Sequence, residues 1–293
     1  MADLNFNNFT SASDIAYKAF QEIEGYVNEQ ATCPKIPTGL KEFDRAIMGG
    51  IYDTDLMVLA ARPSMGITTL ALNFLNNIAC NGNASVAYFS FDLSKEVLIK
   101  RLLWLMAEIK RKNVSEGWLT DKDWQRMVNA VETVQKSKIF FDDTPLISVE
   151  DFLQRIKQAK ESLNVDLIIV DSFNFIPNNL KNIQECSKLA DKIKELILEL
   201  HVPVILLLQL NYVSDYRHFN YPDIRELRKF GSLNKHADIV AFLNRFSYYD
   251  PDEQYAYMCE LIIARQRRGI ARVINLFYDL TTGKIKSLAR CSE

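Results

Sequence analysis

The chain has 293 residues, 48% hydrophobic and 25% charged, with a formal net charge of −2 and a pI near 6.0. This composition suits one large α/β domain with a small appendage, excludes a disordered chain, and leaves nucleic-acid binding to local basic loops rather than to a global positive field. Three scattered histidines and five cysteines without paired spacing argue against a metal or disulfide scaffold; apolar runs too short to span a bilayer and the lack of a signal h-region predict a cytoplasmic protein without a membrane partner.

Residues 1–10, rich in Asn and Phe, read as a loose tail. Residues 11–28 read as an amphipathic helix with Ile15, Ala19, Phe20, Ile23 and Val27 on its stripe. A linker with Pro34 and Pro37 follows, dividing an N-terminal tail and linker helix (1–35) from a main domain (36–293). The helix must bury its stripe on its own domain or on a neighbouring subunit. From Thr38 onward, apolar runs at 55–60, 85–91, 139–142, 166–170 and 202–208 alternate with helical periodicity at 69–80, 95–109, 121–135, 149–163 and 184–200. That alternation predicts an α/β fold with a mostly parallel central sheet flanked by helices. Ser148 and Asp151 supply a start signal for the helix at 149–163, and Leu189, Ile193, Leu196, Ile197 and Leu200 share one face of the next. Runs at 239–243, 258–264 and 271–278 predict C-terminal antiparallel hairpin strands, with Arg265-Gln266-Arg267-Arg268-Gly269 as a basic hairpin tip.

Between the first main-domain strand and its helix lies Ala61-Arg62-Pro63-Ser64-Met65-Gly66-Ile67-Thr68-Thr69. This is the frame of a phosphate-binding loop: successive backbone N–H groups and a helix N-terminus can cradle phosphates, and the Thr68 hydroxyl can hold Mg²⁺. Ile67 stands where a lysine would reach the β- and γ-phosphates. Alone, the segment reads equally well as an ordinary strand-turn-helix connection closed by Gly66. Asp92, Asp171 and Gln209 each follow or end a predicted strand, at the carboxyl edge where open α/β sheets bind ligands. Singly, each could merely cap a turn. Four such positions on separate strands point to one site, with Asp171 holding Mg²⁺, Asp92 orienting a water and Gln209 sensing a γ-phosphate.

Ala60-Ala61-Arg62-Pro63-Ser64-Met65-Gly66, Phe89-Ser90-Phe91-Asp92-Leu93-Ser94-Lys95-Glu96, Asp142-Asp143-Thr144-Pro145 and Asp171 after its apolar strand resemble the C-terminal RecA-like P-loop ATPase domain of DnaB-type replicative helicases. Gln209-Leu210-Asn211, Leu227-Arg228-Lys229-Phe230-Gly231-Ser232, Ala237-Asp238-Ile239-Val240 and Ile262-Ile263-Ala264-Arg265-Gln266-Arg267-Arg268-Gly269 follow in that family's order. Other RecA-like classes, such as recombinases and clock-type ATPases, match these later segments less well. The resemblance implies a homo-hexameric ring that binds ATP and Mg²⁺ and moves 5′ to 3′ on single-stranded DNA. By position, Thr68 and Asp171 would hold Mg²⁺, Gln209 would sense the γ-phosphate, Arg267 would be the arginine finger offered to a neighbour, and Arg265 would assist it. Between 211 and 232, Tyr212, Tyr216, Arg217, Phe219, Tyr221, Arg225, Arg228 and Lys229 interleave aromatic and basic side chains, as a DNA-tracking loop or simply as a surface loop at a subunit boundary. The resemblance puts Arg228, Lys229 and Gly231 on DNA-backbone positions.

The departures fall on catalysis. Ile67 replaces the lysine, Asp92 a glutamate, Leu208 a small polar residue and Tyr212 a basic one, while Lys229 and Phe230 replace acidic and small residues. Loss of one transition-state charge partner commonly costs on the order of 3 kcal/mol. Two readings follow: a divergent helicase motor with impaired hydrolysis, or a pseudo-ATPase acting as a structural, loading or inhibitory partner of an active helicase paralogue. Ahead of the ATPase domain stands only something like the family's linker helix, so primase docking through an N-terminal collar is not expected.

Overall fold

The computed structural model describes residues 11–27, 35–145, 148–178, 182–211, 221–245, 247 and 256–288. Its strands are β1 (Lys35–Ile36), β2 (Ile51–Tyr52), β3 (Leu56–Ala61), β4 (Val86–Ser90), β5 (Ile139–Asp142), β6 (Leu167–Asp171), β7 (Val204–Gln209), β8 (Ile239–Asn244), β9 (Met258–Gln266), β10 (Arg272–Asp279) and β11 (Lys284–Ser287). Its helices are α1 (Ala12–Val27), α2 (Lys41–Ala46), α3 (Ile67–Leu75), α4 (Lys95–Ala107), α5 (Arg111–Ser115), α6 (Asp121–Lys136), α7 (Val149–Leu163), α8 (Phe175–Asn178), α9 (Ile183–Leu200) and α10 (Leu233–His236). Two compact units, Met1–Lys35 and Ile36–Glu293, divide the chain. In the first, Ile15, Phe20 and Ile23 of α1 are exposed. No described helix is long and apolar enough to cross a membrane.

A nine-stranded sheet runs in the order β11-β10-β9-β8-β3-β7-β6-β4-β5. From β8 to β5 the pairings are parallel, and β8, β9, β10 and β11 pair antiparallel. The parallel strands are continuous apolar runs because both faces are covered. Met57, Leu59 and Ala61 of β3 belong to one core, with α3, α4 and β10; Leu56, Val58 and Ala60 belong to the opposite core, with α7 and α9. Sequence periodicity places these elements to within a few residues. The short elements β1, β2, β11, α2, α5, α8 and α10 escape it, as does a π-helical turn. Helix α3 begins at Ile67 and continues as a π-helical turn over Asn76–Cys80, and β11 is a short edge strand in which lysines alternate with Ile285 and Ser287.

The helix starts are chemically explicit. The Ser148 hydroxyl accepts the Asp151 N–H at 3.0 Å, as its spacing predicts, and Thr120 with Asp123 closes a full capping box on α6. At the opposite end of β3 from the phosphate loop, Asp238 is buried and accepts the Leu56 N–H (2.8 Å), Lys194 Nζ (2.6 Å) and Arg267 Nε (3.0 Å). Beside it the buried Asp55 carboxylate accepts Arg268 Nη1 at both oxygens (2.8 Å) and the Tyr52 N–H at 2.9 Å, and the Arg268 guanidinium lies 3.8 Å over the Tyr52 ring. Asp238→Ala leaves Lys194 buried without its counter-charge, so stability is expected to fall by about 3–5 kcal/mol in urea unfolding. A loss below about 1 kcal/mol would show that solvent already screens the cluster.

Candidate nucleotide-binding site

The carboxyl ends of β3, β4, β6 and β7 open into a cavity of about 180 Å³ lined by Arg62, Gly66, Ile67, Thr68, Asp92, Arg101, Asp171 and Gln209, together with Pro63, Ser64, Thr69, Ser172, Leu207 and Leu208. The loop, Asp92, Asp171 and Gln209 therefore meet at one edge. Pockets that enclose a ligand whole run to about 300 Å³ or more, so this one has room for a small group such as a phosphate rather than for a whole nucleotide. A larger cavity of about 360 Å³ lies at the β4–β5 edge against α7, but its charged groups, Asp142 and Arg155, pair with each other at 3.6 Å.

Backbone geometry supports a built loop. Gly66 holds φ 94°, and a Cβ there would strike the Tyr278 hydroxyl. Ser64 (φ 65°) and Ser172 (φ 60°) also adopt the left-handed region, and both line the cavity. By contrast, left-handed Glu108, Asn164 and His201 are ordinary helix C-caps. Asn73, buried on α3, donates to the Thr69 and Gly283 carbonyls at 2.8 and 2.9 Å and accepts the Ile285 N–H at 2.9 Å, which pins the loop's helix to β11.

Asp171 is the buried acid of the cavity. Burial raises its pKa above the ordinary carboxylate range, opposed by hydrogen bonds from Tyr88, Thr68 and the Ser172 backbone, while the Asp92 charge adds to the rise. Tyr88, itself fully buried, donates to Asp171 Oδ2 at 2.8 Å. The Thr68 hydroxyl lies near enough to this carboxylate to favour its charged form, and the two are hard oxygens of the kind that holds Mg²⁺ alongside phosphate oxygens. No described cluster of three or more His, Cys, Asp or Glu side chains forms an all-protein cation cage. Gln209 is fixed through its backbone: its N–H reaches Asn174 Oδ1 and its carbonyl accepts Asn174 Nδ2, both at 2.6 Å.

Several expectations need correction. Arg62 lines the cavity but is committed elsewhere: its guanidinium makes a two-pronged pair with Glu226 (2.9 and 3.0 Å) and donates to the Asn211 carbonyl (2.6 Å). The Met65 side chain packs in the core, leaving only its backbone for phosphates. Arg265 is a strand residue of β9 rather than part of a hairpin tip, and its guanidinium donates to the Asn234 carbonyl. Arg267 sits in the turn, paired with Asp238 of its own chain at the edge of the sheet opposite the cavity. Residues Tyr212, Tyr216, Arg217 and Phe219 lie outside the described residues. Arg225, Arg228 and Lys229 lie exposed on a 3₁₀ turn over Ile224–Phe230; Arg225 pairs with Asp223 and Lys229 donates to Asn211 Oδ1 at 2.8 Å. Gly231 is explained by packing: a Cβ there would lie 2.6 Å from the Ser187 N–H nitrogen.

Sequence reasoning missed Tyr88, Asn174, Glu226 and Arg101. Of these only Arg101 carried a local signal. It lies three residues from Leu98 and four from Leu105, a cation on the buried stripe of α4.

A family model described as the DnaB-like helicase C terminal domain matches residues 35–287. Replicative DNA helicase DnaB of Geobacillus stearothermophilus is 34% identical over 286 residues, covering 96% of this chain and 63% of that protein. Replicative DNA helicase DnaC of Bacillus subtilis is 33% identical over 290 residues, covering 98% and 64%. The chain therefore spans a little under two thirds of the length of these relatives. Among solved structures, one described as an ATPase domain superposes with a TM-score of 0.85 at 26% identity, over 96% of this chain and 100% of that one. A DnaB-like replicative helicase described with its interactions with primase gives 0.83 at 26%, over 96% and 68%. A KaiC-like protein from Pyrococcus horikoshii, at 17% identity and a TM-score of 0.60, shares the fold alone.

Tyr88→Phe removes one donor from the buried Asp171 carboxyl group, and stability at neutral pH is expected to fall by about 1–3 kcal/mol. Because Asp171's folded pKa lies above its unfolded value, the folded state takes up this proton first on acidification, so stability gains as pH falls through that window. The Tyr88→Phe penalty should therefore shrink at the acid end of the folded range. Urea unfolding at both pH values checks this, and an equal penalty at the two would mean that Asp171 does not change its protonation state between them.

Proposed function

The chain belongs to the DnaB-like helicase C-terminal domain family, and from that premise we propose that it is a ring-forming helicase ATPase domain whose own hydrolysis is impaired. One observation carries this reading. The phosphate loop, Thr68, Asp171, Asp92 and Gln209 share one cavity, while at the lysine position Ile67 lines that cavity and packs against the core. ATP would place its phosphates on the loop, where the chemistry supplied is in-line attack of water on the γ-phosphate. Thr68 and Asp171 would hold Mg²⁺, Asp92 would orient the water, and Gln209 would report the γ-phosphate. Asp92 is one methylene shorter than glutamate, and a shift near 1 Å costs on the order of a hundredfold in rate.

Assembly follows from the sheet. Five residue steps of about 3.3 Å along β3 separate the loop from the Asp238 cluster by roughly 17 Å. Arg267, paired there, can meet a nucleotide only on another copy, and Arg265 would brace the same edge. This supports a homo-oligomeric ring, hexameric by family resemblance, with the site completed between subunits. Exposed Arg225, Arg228 and Lys229, with the packed Gly231 holding their turn, would line the path of single-stranded DNA. The second reading, a pseudo-ATPase partner of an active helicase paralogue, is favoured by the same isoleucine, because assembly needs Arg267 and the packed edges but not turnover.

The test compares DNA-stimulated ATP hydrolysis of the native chain with Ile67→Lys. Turnover is expected to rise on the order of a hundredfold in the variant, and Arg267→Ala in that background should lower it by about a thousandfold. Native turnover equal to that of Ile67→Lys would overturn the impairment; inertness in both, with single-stranded DNA still bound, would favour the partner role. Arg228→Ala with Lys229→Ala should weaken oligonucleotide binding and flatten its salt dependence by about two phosphate contacts.

A further inference from the structure

Two cations line the cavity, Arg62 and Arg101, facing the carboxylates of Asp92 and Asp171. Arg62 is 7% exposed and held on both prongs by Glu226, so its charge is already matched. Arg101 has no hydrogen bond or ion pair among the described residues. It is half-buried on α4, on the stripe that carries Leu98, Leu102 and Leu105 into the core. An arginine on such a stripe normally lays its stem on apolar surface and carries its head to water or a partner. Here the head reaches the phosphate-loop cavity instead.

Its charge acts on the Tyr88 hydroxyl, the donor to Asp171 of that cavity. Burial drives the Tyr88 hydroxyl well above its usual range and the Asp171 charge adds to the rise, while Arg101 opposes it. The arginine therefore stands within electrostatic range of the oxygens expected around Mg²⁺ and the terminal phosphates. Ile67, across the same cavity, contributes neither charge nor donor.

We propose that Arg101 supplies the phosphate-binding cation missing at Ile67, its guanidinium receiving the terminal phosphates of a nucleoside triphosphate from α4 rather than from the loop. This rests on the reading of the cavity as a nucleotide site and adds a residue to it. A planar guanidinium can hold two phosphate oxygens at once, which offsets its different point of entry. Retained binding with slow turnover follows, since a cation anchored on a neighbouring helix need not track the γ-phosphate through transfer as a loop lysine does.

The test is calorimetric binding of the slowly hydrolysed analogue ATPγS with Mg²⁺ to the native chain, Arg101→Lys, Arg101→Met, Ile67→Lys, and Ile67→Lys with Arg101→Met. Lysine and methionine fill the arginine stem's space alike, and thermal melts of each variant verify folding. Arg101→Met is expected to bind at least about tenfold more weakly than Arg101→Lys, and Ile67→Lys should bring the double variant back to within about threefold of its single parent. Equal binding by Arg101→Met and Arg101→Lys overturns the proposal. So does a native chain that binds nothing while Ile67→Lys binds, an outcome that leaves the cavity a nucleotide site. If neither binds, the nucleotide reading itself falls with it.

Discussion

Strand β3 is the constraint on which the rest depends. Six consecutive residues, Leu56–Ala61, are buried, hydrogen-bonded to β7 on one edge and β8 on the other, and shared between cores on both faces. No residue in it can shift register without exchanging the cores its side chains fill. Its carboxyl end delivers the phosphate loop beside Gln209. Its amino end delivers Leu56 to Asp238 and, through Asp238, fixes Arg267. The two polar clusters are the two ends of one rigid rod, so the cavity and the Arg267–Asp238 pair stand at opposite edges of the sheet.

The loop's shape does not rest on a lysine. Gly66 is held against Tyr278, and α3 is pinned to β11 through Asn73, so the antiparallel extension buttresses the cradle from outside the site. A lysine at the first position of α3 would have added charge, not support; isoleucine there gains contact with the same core that Met65 enters. The substitution is thus tolerated by the fold while it removes a cation from the chemistry. Impaired catalysis and an intact architecture are compatible for that physical reason.

What was legible in the sequence was whatever is local or two-sided. The parallel strands announced themselves as apolar runs, β3, β4, β6 and β7 because they are covered on both faces, and Ser148 announced α7 because a cap is a three-residue signal. Convergence of Asp92, Asp171 and Gln209 was inferable because the carboxyl edge follows from strand direction. Pairings remote in sequence were not: Arg62 and Glu226 lie 164 positions apart, and nothing near either marks the other. Arg265 looked like a tip residue because β9 outruns its apolar run by two polar residues, which pair with β8 through backbone alone. Arg101 was visible only as a charge standing on the apolar stripe of its helix.

An unused remnant would carry little reason to hold the energies stored around this cavity. Ser64 and Ser172 each adopt a left-handed backbone that costs about 1–3 kcal/mol for a non-glycine residue, and both face the same space. Asp171 is kept desolvated beside a second carboxylate, a further unfavourable term that Tyr88 and Thr68 only partly offset. The neighbouring turn is tied in as well, since Glu226 Oε1 accepts both Arg62 Nη2 and the Asp223 N–H at 3.0 Å. Strain, desolvation and a shared carboxylate thus converge on the cavity that the loop forms. A plain strand-to-helix connection would need none of these features, and here they are held in place by Tyr278, Asn73 and Glu226 from outside the loop.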